Sequence, residues 1–164
     1  MPIKKLTQIS LLTAMALIIF IIELRIPDIV PIPGVKLGLA NIVTVYAMYH
    51  YSPKETFMIL CVRILLGSVF SGNISAIIYS ISGALLCFSG MLVLKHLTEE
   101  KYIWLCSIIG AVLHNTGQIV TAVFIMKTTA VLAYFPFLIV SGCIAGAFTG
   151  ICSQILISRI NLDK

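Results

Sequence analysis

The chain has 164 residues, of which 60% are hydrophobic and only 10% charged, with a mean hydropathy of +1.10. A soluble domain of this length would carry charge on about a quarter of its residues, so the composition excludes an ordinary water-soluble enzyme. It indicates instead an all-α, polytopic membrane protein, one integral-membrane domain over residues 1–164 with the lipid bilayer as its first partner. The net charge of +5 would suggest nucleic acid in a soluble protein. Here the basic residues lie mostly between apolar runs, where membrane topology accounts for them, and no nucleic-acid partner is implied.

Six spans are expected in chain order. The first, about Leu6–Ile22, follows Lys4 and Lys5 much as a signal peptide would. Its length, and the Glu23-Leu24-Arg25 behind it without an A-x-A site, favour an uncleaved span. Residues Arg25 to Lys36 then include Pro27, Pro31 and Pro33. Three prolines remove helix donors and fix the backbone, so this is expected to be an ordered, non-helical loop. Its apolar character suits a lid over the outer mouth of the bundle; a stiff interfacial connection is the plainer alternative. The second span, about Leu37–Tyr51, is short against the ~20 residues a straight crossing needs. The third is about Glu55–Phe70. Ser71-Gly72-Asn73 turns into the fourth, about Ile74–Leu94, with Asn73 read as a turn residue. The fifth and sixth are about Tyr102–Met126 and Ala130–Ile157.

With the N-terminus inside, Lys4, Lys5, Lys54, Lys95, Lys101, Arg159 and Lys164 face the cytoplasm, and Arg25, Lys36 and Lys127 face out. Seven against three places both termini inside. The five cysteines (Cys61, Cys87, Cys106, Cys143, Cys152) all fall in apolar runs. None has CxxC spacing, and no His/Cys cluster has metal spacing, so they read as packing residues with no disulfide, metal site or cofactor implied.

Arg63 stands in the middle of the third span. A guanidinium at that depth costs from roughly 3 to well over 10 kcal/mol, and such groups usually face the bundle interior and mark a functional site. The structural alternative is an internal pair with Glu23 or with backbone carbonyls. His114, Asn115 and Gln118 cluster in the fifth span, His114 and Gln118 one turn apart on one face. Asn41 begins the second span, Tyr79 the fourth, and Glu23 and Lys36 bracket the proline loop. In this topology Arg63 and His114 lie near the midplane, and Asn41, Tyr79, Gln118 and the loop lie in the outer half. Together they outline a polar cavity that opens outward. Its fixed positive charge suits a small or amphipathic ligand with an acidic or phosphate group, which arginine can bind bidentately. The blander reading is that His114, Asn115 and Gln118 bond across helices, at under ~1 kcal/mol each.

Small residues recur at helical spacing. Gly142, Gly146 and Gly150 form a double GxxxG on the sixth span, Gly67 and Ser71 a pair on the third, and Ala76, Gly83 and Gly90 a seven-residue series on the fourth. Most of these are expected to pack helices within the bundle. Ser10 and Ala14 form a weaker pair on the first span, the most plausible face for docking a partner membrane protein.

Three stretches carry a family resemblance: Val35-Lys36-Leu37-Gly38-Leu39-Ala40-Asn41-Ile42-Val43, Arg63-Ile64-Leu65-Leu66-Gly67 with Ser71-Gly72, and His114-Asn115-Thr116-Gly117-Gln118. They resemble the Gx transporter family, widely labelled heptaprenyl diphosphate synthase component I, over nearly the whole chain. More broadly, the layout is similar to the substrate-binding S-components of energy-coupling factor (ECF) transporters. That likeness implies a six-helix protein of a bacterial cytoplasmic membrane that captures a vitamin-like compound from outside. It would hand the compound over by toppling within an ECF module of a membrane scaffold protein and two ATPases. S-components often dock through an AxxxA pair on the first helix, for which this chain has Ser10-xxx-Ala14, a degenerate form. Their ligand sites lie under the loop after the first helix, here Arg25–Lys36.

The synthase label implies a different chemistry. Prenyl diphosphate synthases need Asp-rich motifs to hold magnesium and diphosphate, and this chain has only Asp28 and Asp163. The sequence offers no catalytic carboxylate pair, so the expectation is a non-enzyme. Gene neighbourhood would account for the label and would make an isoprenoid, quinone precursor or related redox compound the ligand. The readings that stand are a transport subunit energised by a partner, since the chain has no Walker motif, a non-catalytic subunit of polyprenyl diphosphate synthesis, and a membrane scaffold without a ligand.

Overall fold

A computed structural model describes residues 3–26, 38–72 and 76–162. Its six helices are α1 (Ile3–Glu23), α2 (Asn41–His50), α3 (Pro53–Ser71), α4 (Ala76–Leu97), α5 (Ile103–Met126) and α6 (Phe135–Leu162), and there is no strand among the described residues. Short 3-10 turns, Glu100–Tyr102 and Thr129–Tyr134, lead into α5 and α6. Among the described residues, four stretches are long and apolar enough to cross a membrane: Ile3–Glu23, Ala76–Leu97, Glu100–Met126 and Thr129–Ile160. The surface agrees with that length. Ile18, Val69, Phe124 and Ile144 are each more than half exposed, an apolar exterior that water would not tolerate over so wide an area.

Two elements differ most in their bounds from the spans the sequence suggests. The second span shrinks to the ten residues of α2, which starts at Asn41 instead of Leu37. At roughly 1.5 Å per residue it is about 15 Å long, half the ~30 Å hydrocarbon thickness. The sixth helix starts at Phe135, because the six residues before it wind as a 3-10 turn whose Thr128 hydroxyl accepts the Ala130 N–H at 3.3 Å. Pro136 then falls in the first turn of α6, where its missing N–H costs nothing. The third helix runs slightly beyond its expected bounds, from Pro53 to Ser71, but Lys54, Glu55 and Arg63 place it outside the four most apolar stretches. Its start is set by Pro53 and by Glu55, whose carboxylate accepts the Ser52 N–H at 3.0 Å.

Successive helices run antiparallel, which gathers Lys5, Lys54, Lys95, Lys101 and Arg159 at one end. There, Lys5 pairs with Glu55 at 2.8 Å, tying α1 to α3. Lys95 donates to the Met48 carbonyl at 2.6 Å, satisfying the C-terminal end of α2. Val45, Met48, Met91, Ile103, Cys106 and Ile157 fill the space between α2, α4, α5 and α6 at this basic end. All five cysteines are free.

Glycine contacts hold α5 between α4 and α6. A Cβ at Gly117 would sit 2.8 Å from both the Gly83 Cα and the Ser82 carbonyl oxygen, so α4 and α5 touch backbone to backbone. Gly146 and Gly150 approach α5 as closely, at the Cα atoms of Ile108 and Trp104. The glycine stripe of α6 is therefore an internal seam, as the spacing suggests. Buried hydroxyls reinforce it: Ser107 and Thr149 lie 3.1 Å apart across α5 and α6, and Ser153 donates to the Ile42 carbonyl of α2 at 3.1 Å.

Candidate functional site

Because α2 spans only half the depth of the bundle, no helix among the described residues occupies the space beyond its N-terminus. A cavity of about 770 Å³ fills that space, walled by α1, α3, α4, α5, α6 and the turn before α6. Its size falls within the roughly 300–1,000 Å³ of small-molecule sites. The short second element is thus the reason the bundle is solid at the basic end and hollow at the other.

Arg63 reaches the cavity floor from α3 and donates from Nη1 to the Asn41 Oδ1 at 3.1 Å. Asn41 is the first residue of α2, so the guanidinium meets the positive end of that helix dipole. Two sources of positive potential therefore converge on one point of an enclosed surface, with one acceptor to hold the arginine in place. Glu23, the alternative partner, is not within ion-pair distance of Arg63; the described residues contain the Lys5–Glu55 pair alone. Glu23 is 9% exposed, lines the same cavity and accepts the Gly38 N–H, tying the end of α1 to the approach to α2. Gly38 sits at φ +68°, a left-handed conformation in which a side chain would be strained, and a Cβ there would press on the Asn41 amide at 3.2 Å.

Six residues singled out in the sequence share this one cavity: Arg63, His114, Asn115, Gln118, Asn41 and Tyr79. The seventh, Lys36, lies outside the described residues, as do most of the proline loop and Asn73. The members differ in how committed they already are. Asn115 donates from Nδ2 to the Leu138 carbonyl at 2.7 Å, so its amide is engaged in holding α6 to α5. Gln118 and Tyr79 make no side-chain hydrogen bond to another described residue and remain available to a ligand. His114 is placed by the α4–α5 contact, its carbonyl oxygen and Cε1 both lying against Gly83.

Other wall residues were not evident from spacing. Ser68 and Ser80 face the cavity from α3 and α4, and Tyr134 from the turn before α6. Tyrosine near the end of a span reads first as an interfacial anchor, and serine as a small packing residue, so neither carries a signal of its own. Glu23 did carry one, as an acid closing an apolar run. Phe20 forms part of the wall over Gly67, where a Cβ would come 2.9 Å from its ring.

A second, smaller void of about 20 Å³ lies beneath, sharing Asn41, Arg63 and His114 with the cavity above. Thr44, Ser107 and Thr149 line it. The Thr44 hydroxyl is buried with no partner among the described residues. No group of three His, Cys, Asp or Glu suited to a metal occurs among the described residues.

Ser10 and Ala14 are both exposed on α1, away from the cavity, whereas Ile9, Thr13 and Ala16 turn inward. The small pair thus belongs to the outer surface of the bundle and takes no part in its internal packing.

No curated protein and no solved structure matches this chain. A family model described as heptaprenyl diphosphate synthase component I matches residues 12–156, which include all six helices in whole or large part and every described cavity residue, and the chain belongs to that family.

Proposed function

We propose that the protein is a substrate-binding membrane subunit of the S-component kind, serving an ATP-driven uptake transporter. It holds a small amphipathic molecule in the α1–α6 cavity, with the acidic end of that molecule on Arg63. The observation that carries this reading is Arg63 itself, held by Asn41 on the floor of a 770 Å³ cavity and without a carboxylate at ion-pair distance among the described residues. A buried guanidinium is costly unless an anion meets it, and the cavity leaves room for one.

The basic end of the bundle faces the cytoplasm in this reading, the cavity faces out, and the membrane is the bacterial cytoplasmic membrane. Energy comes from a partner that carries ATPases, an ECF-type module, docked through the Ser10–Ala14 face. The protein does no chemistry on its ligand, which is vitamin-like or related to isoprenoids and quinones.

The family description favours a second reading, a non-catalytic membrane component of heptaprenyl diphosphate synthesis. There the same arginine would meet a diphosphate, and the partner would be a soluble, Asp-rich synthase chain that supplies the magnesium site.

Mass spectrometry of small molecules released from gently purified protein, with Arg63→Ala as control, tests the binding function. A compound present in the wild type and absent from a folded Arg63→Ala protein is the expected result. Wild-type retention by the mutant would sink the assignment of Arg63. Co-purification separates the two readings: an ATPase-bearing complex supports transport, and a soluble Asp-rich chain with product formed only by the pair supports synthesis.

A further inference from the structure

The cavity holds a second charged group that a simple anion site does not use. Glu23 is buried in its wall, yet among the described residues no basic side chain lies within ion-pair distance of it. One carboxylate oxygen accepts the Gly38 N–H. Holding that turn needs only a neutral acceptor, which a glutamine would supply. Arg63 attracts the Glu23 carboxylate from beyond ion-pair distance, but a buried carboxylate is costly without a donor or cation in direct contact, so the charge at this position favours a partner in the cavity.

The α1–α3 register gives the spacing. Lys5 meets Glu55 at one end, and Phe20 lies against Gly67 near the other. Arg63 stands four residues below Gly67, and Glu23 three residues above Phe20. At roughly 1.5 Å per residue the two backbone positions are offset by about 10 Å along α1 and α3. The positive group is beside the α2 N-terminus, on Asn41, and the negative group is beside the Gly38 turn that leads into it. The cavity wall as a whole is largely apolar, with Phe20, Ile64 and Ile119 among its members.

We propose that the ligand is bipolar: an elongated molecule with an acidic group for Arg63, an apolar body, and an ammonium or other strong hydrogen-bond donor about 10 Å away for Glu23. This rests on the cavity being a ligand site. It narrows that site from anions in general to molecules whose two ends differ in charge, and it fixes their orientation, the acid on Arg63 and the donor on Glu23. A plain fatty acid or an alkyl phosphate leaves Glu23 uncompensated and binds less well.

A rigid matched trio tests this: 4′-(aminomethyl)biphenyl-4-carboxylic acid, biphenyl-4-carboxylic acid and 4-phenylbenzylamine. All three share the body and differ in which ends are charged. Binding is measured by calorimetry on the full-length protein in detergent, for wild type, Glu23→Gln and Arg63→Gln. The bipolar compound is expected to bind wild type at least tenfold more tightly than either relative. Glu23→Gln, which retains an oxygen for the Gly38 N–H, should bind it no better than the acid. Arg63→Gln should bind it no better than the amine. Equal wild-type affinity for the bipolar compound and the acid overturns the proposal while leaving the anion site standing, as does an unchanged preference in folded Glu23→Gln. Failure of all three compounds to bind wild type, or binding indifferent to Arg63→Gln, overturns the cavity reading and this proposal with it. Melting curves and gel filtration establish that each variant is folded.

Discussion

Gly117→Ala is the substitution on which the architecture of the site can be tested most sharply. The added methyl would lie 2.8 Å from the Gly83 Cα and 2.8 Å from the Ser82 carbonyl oxygen, against 3.4 Å at which such contacts become ordinary. Both obstacles are backbone, so α4 and α5 must separate by about 0.6 Å, the difference between those distances. Overpacking of this kind costs about 1–3 kcal/mol. The 3.2 Å bond from Ser82 Oγ to the Gly117 carbonyl would stretch as well. Against this stands the better helix propensity of alanine, about 1 kcal/mol. The expected net result is a loss of up to about 2 kcal/mol. Gly90→Ala supplies the control: its methyl would meet the tip of the Leu113 side chain, which can rotate away, so the propensity gain should dominate and the variant should be neutral or slightly stabilised. Reversible unfolding in mixed micelles by added SDS measures both. Gly117→Ala as stable as Gly90→Ala would refute the backbone-contact account of the α4–α5 seam, and with it the explanation of how His114 and Gln118 are held toward the cavity.

Other outcomes are expected from single side chains. Asn41→Ala leaves Arg63 in the cavity without its acceptor; with charged hydrogen bonds worth about 1.5–3 kcal/mol, ligand affinity should fall at least tenfold, and wild-type affinity would show that Asn41 does not position the guanidinium. The void under Arg63 has room for one water, and Thr44, Ser107 and Thr149 on its otherwise mostly apolar wall could hold it. Thr44→Val should therefore lose a water-mediated bond and about 1 kcal/mol of stability; a rise in melting temperature would show that the void is dry. Ser10→Leu and Ala14→Leu place bulk on an exposed face of α1, and should abolish pull-down of an ATPase-bearing partner while leaving ligand binding intact. Unchanged pull-down in both would put the docking face elsewhere.

Much of this molecule was legible in the sequence because a membrane leaves few choices. Backbone groups in lipid must bond internally, so apolar runs become helices, and the six expected spans correspond to six helices. The cavity residues were legible for the same reason: polar side chains inside a membrane are rare enough for each to count, and Arg63, His114, Asn41, Gln118 and Tyr79 meet in one place. What escaped were features set by tertiary contact. Asn115 has the same chemistry as Gln118, but nothing in their spacing tells that the first is bonded to the Leu138 carbonyl. Tyr134 and Ser80 belong to residue types that pack or anchor as often as they bind. The start of α2 at Asn41 was obscured because Leu37 to Ala40 is as apolar as the helix itself, so composition has no boundary there; the left-handed Gly38 supplies it.

The half-length of α2 connects these observations. A full-length second span would bring Asn41 to the surface of the bundle and fill the cavity with its own side chains. Ending the helix at mid-depth instead delivers three things to one point: an empty volume, the positive end of a helix dipole, and an amide acceptor for Arg63. Irregular backbone at membrane depth is tolerated only where it lines a cavity or is buried in protein, so the break before α2 and the cavity beside it require each other. The same break explains the position of Glu23. The carboxylate at the end of α1 receives the Gly38 N–H, three residues before α2 begins. One structural decision, a helix started late, thereby places Arg63 against the first residue of α2 and Glu23 against the Gly38 turn that leads into it.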